Sequence, residues 1–145
     1  MLPTLAGRMQ TRLFLLATIG GLVTLVIVPV LPGSAPIADK YRDGFLVLAA
    51  VAVLGVFWEL LYHFLMQWRW EKDWPTLFGL ATSVPEGLLI WLLLSAGAVP
   101  GIVGTVGGAA FLIQFILIWL AVWLAANGPM RVPFIRWRFH GGRLW

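Results

Sequence analysis

No cysteine occurs anywhere in the chain. Disulfide staples, thiolate metal sites, iron–sulfur clusters and thiol redox chemistry are thereby excluded. Histidine is nearly as scarce, with His63 and His140 the two present. A haem held between two histidines of one membrane chain needs both at bilayer depth, and His140 lies in a polar tail. Charge is the third scarcity. Only 11% of the 145 residues are charged, six acidic and ten basic, against 61% hydrophobic. A soluble domain usually carries roughly 25% charged residues, because its surface must be hydrated. So few charges cannot cover a water-exposed globule of this size, and lipid is the solvent that suits the composition.

What the chain does have is long apolar runs. A helix rises about 1.5 Å per residue, so roughly 20 apolar residues cross the hydrocarbon core. Four stretches meet that test: residues 13–31 without a charge, 44–66 with Glu59 and His63, 76–99 with Pro85 and Glu86, and 102–126 with Gln114. Strands are excluded for these runs, because open sheet edges stay unsatisfied in lipid. The links carry turn signals: Pro32-Gly33-Ser34 opens the first, Gln67 to Pro75 forms the second, and Pro100-Gly101 predicts a very tight third. Short links make neighbouring helices adjacent and antiparallel. The expected fold is therefore all-α, a polytopic integral membrane four-helix bundle running up-down-up-down. It is a single membrane domain over residues 1–145, with a tail over 127–145.

Lysine and arginine set the orientation. Arg8 and Arg12 precede the first run, Arg69 and Lys72 lie in the second link, and Arg131, Arg136, Arg138 and Arg143 lie in the tail. With four spans these eight share one side, against Lys40 and Arg42 on the other, each offset by Asp39 or Asp43. Both termini are thus expected in the cytoplasm. A basic start before an apolar run also resembles a cleavable signal peptide. The run is longer than a usual signal core, and Pro36 follows the best cleavage point, so an uncleaved anchor is expected. Arginine in place of lysine, with plentiful glycine, alanine and tryptophan, points to a bacterial protein of the cytoplasmic (inner) membrane.

Ionisable groups at bilayer depth cost a few kcal/mol each on insertion scales, so they face protein or water. Counting from the cytoplasmic ends puts Glu59 roughly 10 Å deep and Glu86 roughly 15 Å deep. Gln114 mirrors Glu86 across the Pro100 turn. Glu59, His63, Glu86 and Gln114 are therefore expected to form one inward polar layer, contributed by the second, third and fourth helices. The first helix, without charge, is expected to pack outside it. Small residues support this, because Gly55 lies one turn before Glu59, and Gly104 and Gly108 form a small-xxx-small pair for close packing. Pro85 is expected to kink the third helix, since it cannot donate to the Ala81 carbonyl.

Two chemistries fit such a layer. Glu59 and Glu86 could titrate in a small oligomeric proton or cation channel or transporter, or line a holin-like pore, with His63 as a shuttle. Alternatively they hold helices together, within the chain or against a partner subunit's arginine. Catalysis has little support: Glu59 and His63 at i, i+4 supply two metal ligands, but nothing at depth completes a site, and no activated nucleophile is evident. No metal or cofactor is expected.

The cytoplasmic rims mix aromatic and basic residues. Trp68, Arg69, Trp70 and Trp74 lie in the second link, where acids cancel the charge and an interface belt is expected. In the tail, Arg131, Arg136, Trp137, Arg138 and Arg143 have no acid nearby. They are expected to lie on the bilayer or to dock a partner, and nucleic acid is disfavoured by so few charges on a membrane tether. The leading expectation is a non-catalytic polytopic subunit or scaffold of a larger assembly, in contact with lipid and with other membrane subunits, homo- or hetero-oligomeric.

Overall fold

A computed structural model describes residues 4–68, 77–102 and 104–145. Arg69, Trp70 and Trp74 lie outside the described residues. The described chain is helical, and four of its helices are long and apolar enough to cross a membrane. They are α1 (Leu5–Val30), α2 (Ile37–Met66), α3 (Phe78–Ser95) and α4 (Gly108–Asn127). A short helix, α5 (Ile135–Phe139), follows in the tail. Large apolar side chains such as Val26, Val53, Phe57 and Leu88 cover the outer surface. Water would not tolerate that surface and lipid does, so the protein is membrane-embedded.

The first helix starts earlier than its apolar run. Thr4 has extended backbone, and its hydroxyl accepts the Gly7 amide at 3.1 Å, an N-cap that begins α1 at Leu5. Arg8 and Arg12 are therefore helical residues of α1 and not a surface leader. Midway, Leu16–Gly20 form a π-helical turn in which the Gly21 amide reaches the Leu16 carbonyl. This turn has a packing consequence. Arg8, Arg12, Leu16, Gly20, Thr24 and Val28 recur every four residues, and a pure α-helix would let such a stripe drift about 40° per step. One wider turn offsets part of that drift and helps to keep the stripe towards the bundle.

Contacts along the helices fix their directions. On α1 and α2, Arg8 meets Met66 and Lys40 meets the Leu31 carbonyl. On α3 and α4, Gly79 lies against Trp123, Gly87 against Phe115 and Trp91 against Gly108. Both pairs run antiparallel. The core is formed by Leu16, Val47, Leu48, Val51, Ile90, Phe111, Phe115 and Ile118. Trp91, Phe111, Phe115 and Trp119 stack in series, with successive ring centroids 5.4, 5.5 and 5.4 Å apart. This ladder runs along α4 towards the end where α1 begins.

The structure corrects two expectations about the third and fourth helices. The third link is not a tight turn, because α3 ends at Ser95 and α4 begins at Gly108. Gly97, at positive φ, closes α3 with a paired C-terminal motif in which the Ala98 amide bonds Leu93 and the Gly97 amide bonds Leu94. Gly104 consequently lies in the link, exposed and with nothing near its Cα. Gly104 and Gly108 thus do not form a helix-packing pair, although Gly108 does make room for the Trp91 ring. Finally, α3 is interrupted at Thr82, with Pro85 in the first turn of the second segment. The break precedes Pro85 because its ring excludes the carbonyl one turn back. The hydroxyls of Thr82 and Ser83 then bond the Gly79 and Leu80 carbonyls at 3.2 and 2.6 Å.

Candidate functional site

The charged residues at depth meet at one place. Arg12 reaches across from α1 and forms an ion pair with each glutamate. Its Nη1 lies 3.2 Å from Glu59 Oε1 and 3.2 Å from Glu86 Oε1, and its Nη2 pairs with Glu86 Oε2. Arg8, one turn earlier, places Nε 3.2 Å from Glu59 Oε2 and donates to Met66 Sδ at 2.6 Å. Tyr62 donates from α2 to Glu86 Oε1 at 3.1 Å. Glu86 is 1% exposed, and Arg8, Arg12 and Glu59 are between 12% and 15% exposed.

The surrounding sequence makes this cluster possible. Gly55, one turn before Glu59, has no side chain, and the Arg12 guanidinium fills the space that a Cβ would take. Trp119 closes the other side, its ring 5.3 Å beneath the guanidinium carbon. That ring is fixed in turn by its indole N–H, which donates to the Gly79 carbonyl at 2.8 Å. A stacked Trp58 ring holds Tyr62 at 5.6 Å. Two guanidiniums thus face two carboxylates, and the four charges cancel. Isolated charges in a poorly hydrated interior cost several kcal/mol each, and their mutual attraction offsets this only when the geometry is close and multiply bonded.

The expected layer is therefore split and extended. Glu59 and Glu86 come together as expected. His63 is half-buried and enters no hydrogen bond or ion pair among the described residues. Gln114 is 2% exposed but belongs elsewhere, donating to the Gly44 carbonyl at 2.8 Å and to Thr24 Oγ1 at 3.4 Å. These contacts lie 12 residues from Arg12 on α1 and 15 from Glu59 on α2, roughly 18 and 22 Å of helix. The reason is a helical one. Side chains lean towards their helix N-terminus, so on antiparallel α3 and α4 Glu86 and Gln114 lean in opposite directions. The expectation that the first helix packs outside the layer is overturned, because α1 supplies both cations. The Thr4 cap and the Arg8/Arg12 spacing were the signals for this.

No family model, curated protein or solved structure matches the chain. Beside the cluster is a cavity of about 310 Å³, reached by Arg8, Arg12 and Glu59 on one wall and by Val122, Trp123 and Ala126 on another. The tail closes part of it. Gly141 accepts from the Thr4 amide at 2.8 Å, Gly142 from the Thr11 hydroxyl at 2.9 Å, and Trp137 donates to Thr11 at 2.6 Å. Gly7 packs directly on the Gly141 and Gly142 backbone. Arg143 lies 3.4 Å from Thr4 Oγ1, and like Arg131, Arg136 and Arg138 it is exposed. Trp68 is 79% exposed.

Proposed function

We propose that this chain is a non-catalytic, polytopic subunit or scaffold of a larger assembly in the cytoplasmic membrane of a bacterium. In this reading the four helices run up-down-up-down with both termini cytoplasmic, as the distribution of basic residues favours even without the ion-paired Arg8 and Arg12, six in the second link and tail against Lys40 and Arg42. The observation that carries it is the internal neutralisation of Glu59 and Glu86 by Arg8 and Arg12. Carboxylates that already hold a guanidinium are poor carriers of a mobile cation. Their geometry suits a clamp that fixes α1, α2 and α3 in one register. The remaining apolar outer faces are then available to lipid and to neighbouring subunits.

The test is purification in mild detergent. A stoichiometric heterologous membrane partner that survives size-exclusion chromatography supports a subunit. A homogeneous homo-oligomer with no partner counts against it.

A second reading is a small oligomeric proton or cation channel or transporter, or a holin-like pore, using Glu59, His63 and Glu86. It is favoured by one feature, the cavity that reaches Glu59 and Arg12. Purified protein in liposomes decides between them. Flux of protons or cations that disappears in Glu59→Gln, with the helical spectrum unchanged, would establish transport and displace the scaffold reading.

A further inference from the structure

The cavity beside the charge cluster differs from its rim in chemistry. Leu15, Val122, Trp123 and Ala126 give it apolar walls. At its rim Asn127 accepts from Arg131 Nη2 at 3.1 Å through Oδ1, and its Nδ2 donates to the Trp123 carbonyl at 2.9 Å. From Asn127 to Trp145 there are four arginines and no acid. Tail segments beside the rim also expose Val132, Ile135 and Phe139, between the exposed guanidiniums of Arg131, Arg136 and Arg138. An apolar recess next to unbalanced positive charge matches one kind of molecule, an acidic head carrying a long hydrocarbon chain.

We propose that this cavity is a binding site for an anionic phospholipid, with one acyl chain in the recess and the phosphate at the Arg131 rim. The volume of about 310 Å³ is at the lower end of ligand pockets, roughly 300–1,000 Å³, and accommodates part of one chain and not a whole lipid. The internal ion pairs matter to the assignment. Arg8 and Arg12 are already matched by Glu59 and Glu86, so the inner end of the cavity carries no net charge and offers nothing to a second anion. Charge selectivity therefore resides at the rim, where no acid among the described residues pairs with a tail arginine. Indole rings in the cavity lining, Trp123 and Trp137, suit the level of the bilayer where head and chain meet.

The experiment uses the full chain in nanodiscs made with equal phosphatidylglycerol and phosphatidylcholine of identical chains. Lipid retained after transfer to detergent is counted by native mass spectrometry. The expected result is preferential retention of phosphatidylglycerol. Arg131→Gln weakens that retention about fivefold, as for one basic residue at a lipid surface. Ala126→Phe, which fills the recess, abolishes it. A soluble glycerophosphate, having no chain, does not displace the lipid. Equal retention of the two lipids, displacement by the soluble phosphate, or undiminished retention in folded Ala126→Phe would each overturn the proposal. Should Ala126→Phe not fold, the exposed Arg131→Gln decides: wild-type retention in that variant is then the overturning result. Lipid retention and partner co-purification are separate readouts, so this site and the subunit role can fail independently.

Discussion

Gly55 on α2 lies directly against the guanidinium of Arg12 on α1, in the space that any larger residue would fill with its Cβ. The absence of a side chain at one position thus admits the cation that neutralises two others. Because Arg12 is held by Glu59, Glu86 and the Trp119 ring, it has little freedom to retreat. Gly55→Ala is expected to cost about 1–3 kcal/mol, the range for overpacking a filled interior. In detergent this should appear as a lowered melting temperature by several degrees. An unchanged transition would mean that Arg12 relaxes without penalty.

The second prediction concerns the clamp itself. Glu86→Gln leaves Arg12 buried with one carboxylate in place of two, and Arg12→Gln leaves Glu86 buried beside the Tyr62 hydroxyl without its guanidinium. Breaking one partner of a buried pair costs roughly 3–5 kcal/mol, whereas replacing both is often near neutral. The double variant Arg12→Gln/Glu86→Gln should therefore melt closer to wild type than either single variant does. Additive losses in this double-mutant cycle would contradict a coupled pair.

A smaller effect is expected from the other buried polar group. Gln114 ties α4 to the Gly44 carbonyl and to Thr24. Interhelical hydrogen bonds in membranes average only about 0.6 kcal/mol, so Gln114→Leu should shift stability far less than Glu86→Gln. Equal losses from the two would argue that the ion pairs are no stronger than a single amide bond.

The tail provides a fourth check. A Cβ on Gly7 would collide with the backbone of Gly141 and Gly142, which has no side chain to swing aside. Gly7→Val should therefore release the tail from α1 while leaving the spans in place. Hydrogen exchange at Gly142 and Arg143 should quicken, and trypsin should cut after Arg138 or Arg143 sooner than in wild type. Unaltered exchange would show that Gly7 does not hold the tail.

Four spans and two inward glutamates were legible from the chain alone, because hydropathy runs and helical spacing are local properties. Glu59 and Glu86 could be placed at depth by counting residues, and their burial follows from the cost of a charge in lipid. What counting could not give was the identity of their partners. Arg8 and Arg12 stand outside the apolar run, so charge alone assigns them to the surface. The Thr4 cap makes them helical, and the long arginine side chain carries the cation inward to carboxylates 47 and 74 residues away. Gln114 went astray for a related reason. Residue order sets the height of a Cα along its helix, while side-chain direction depends on which way that helix runs beside its neighbours. The number and approximate placement of the spans thus belonged to the sequence by itself, while their ends did not. Only the tertiary structure decided that α1, whose apolar run is free of charge, supplies the cations at the centre of the polar cluster. Pairing between distant charges is a property of packing and not of any local pattern.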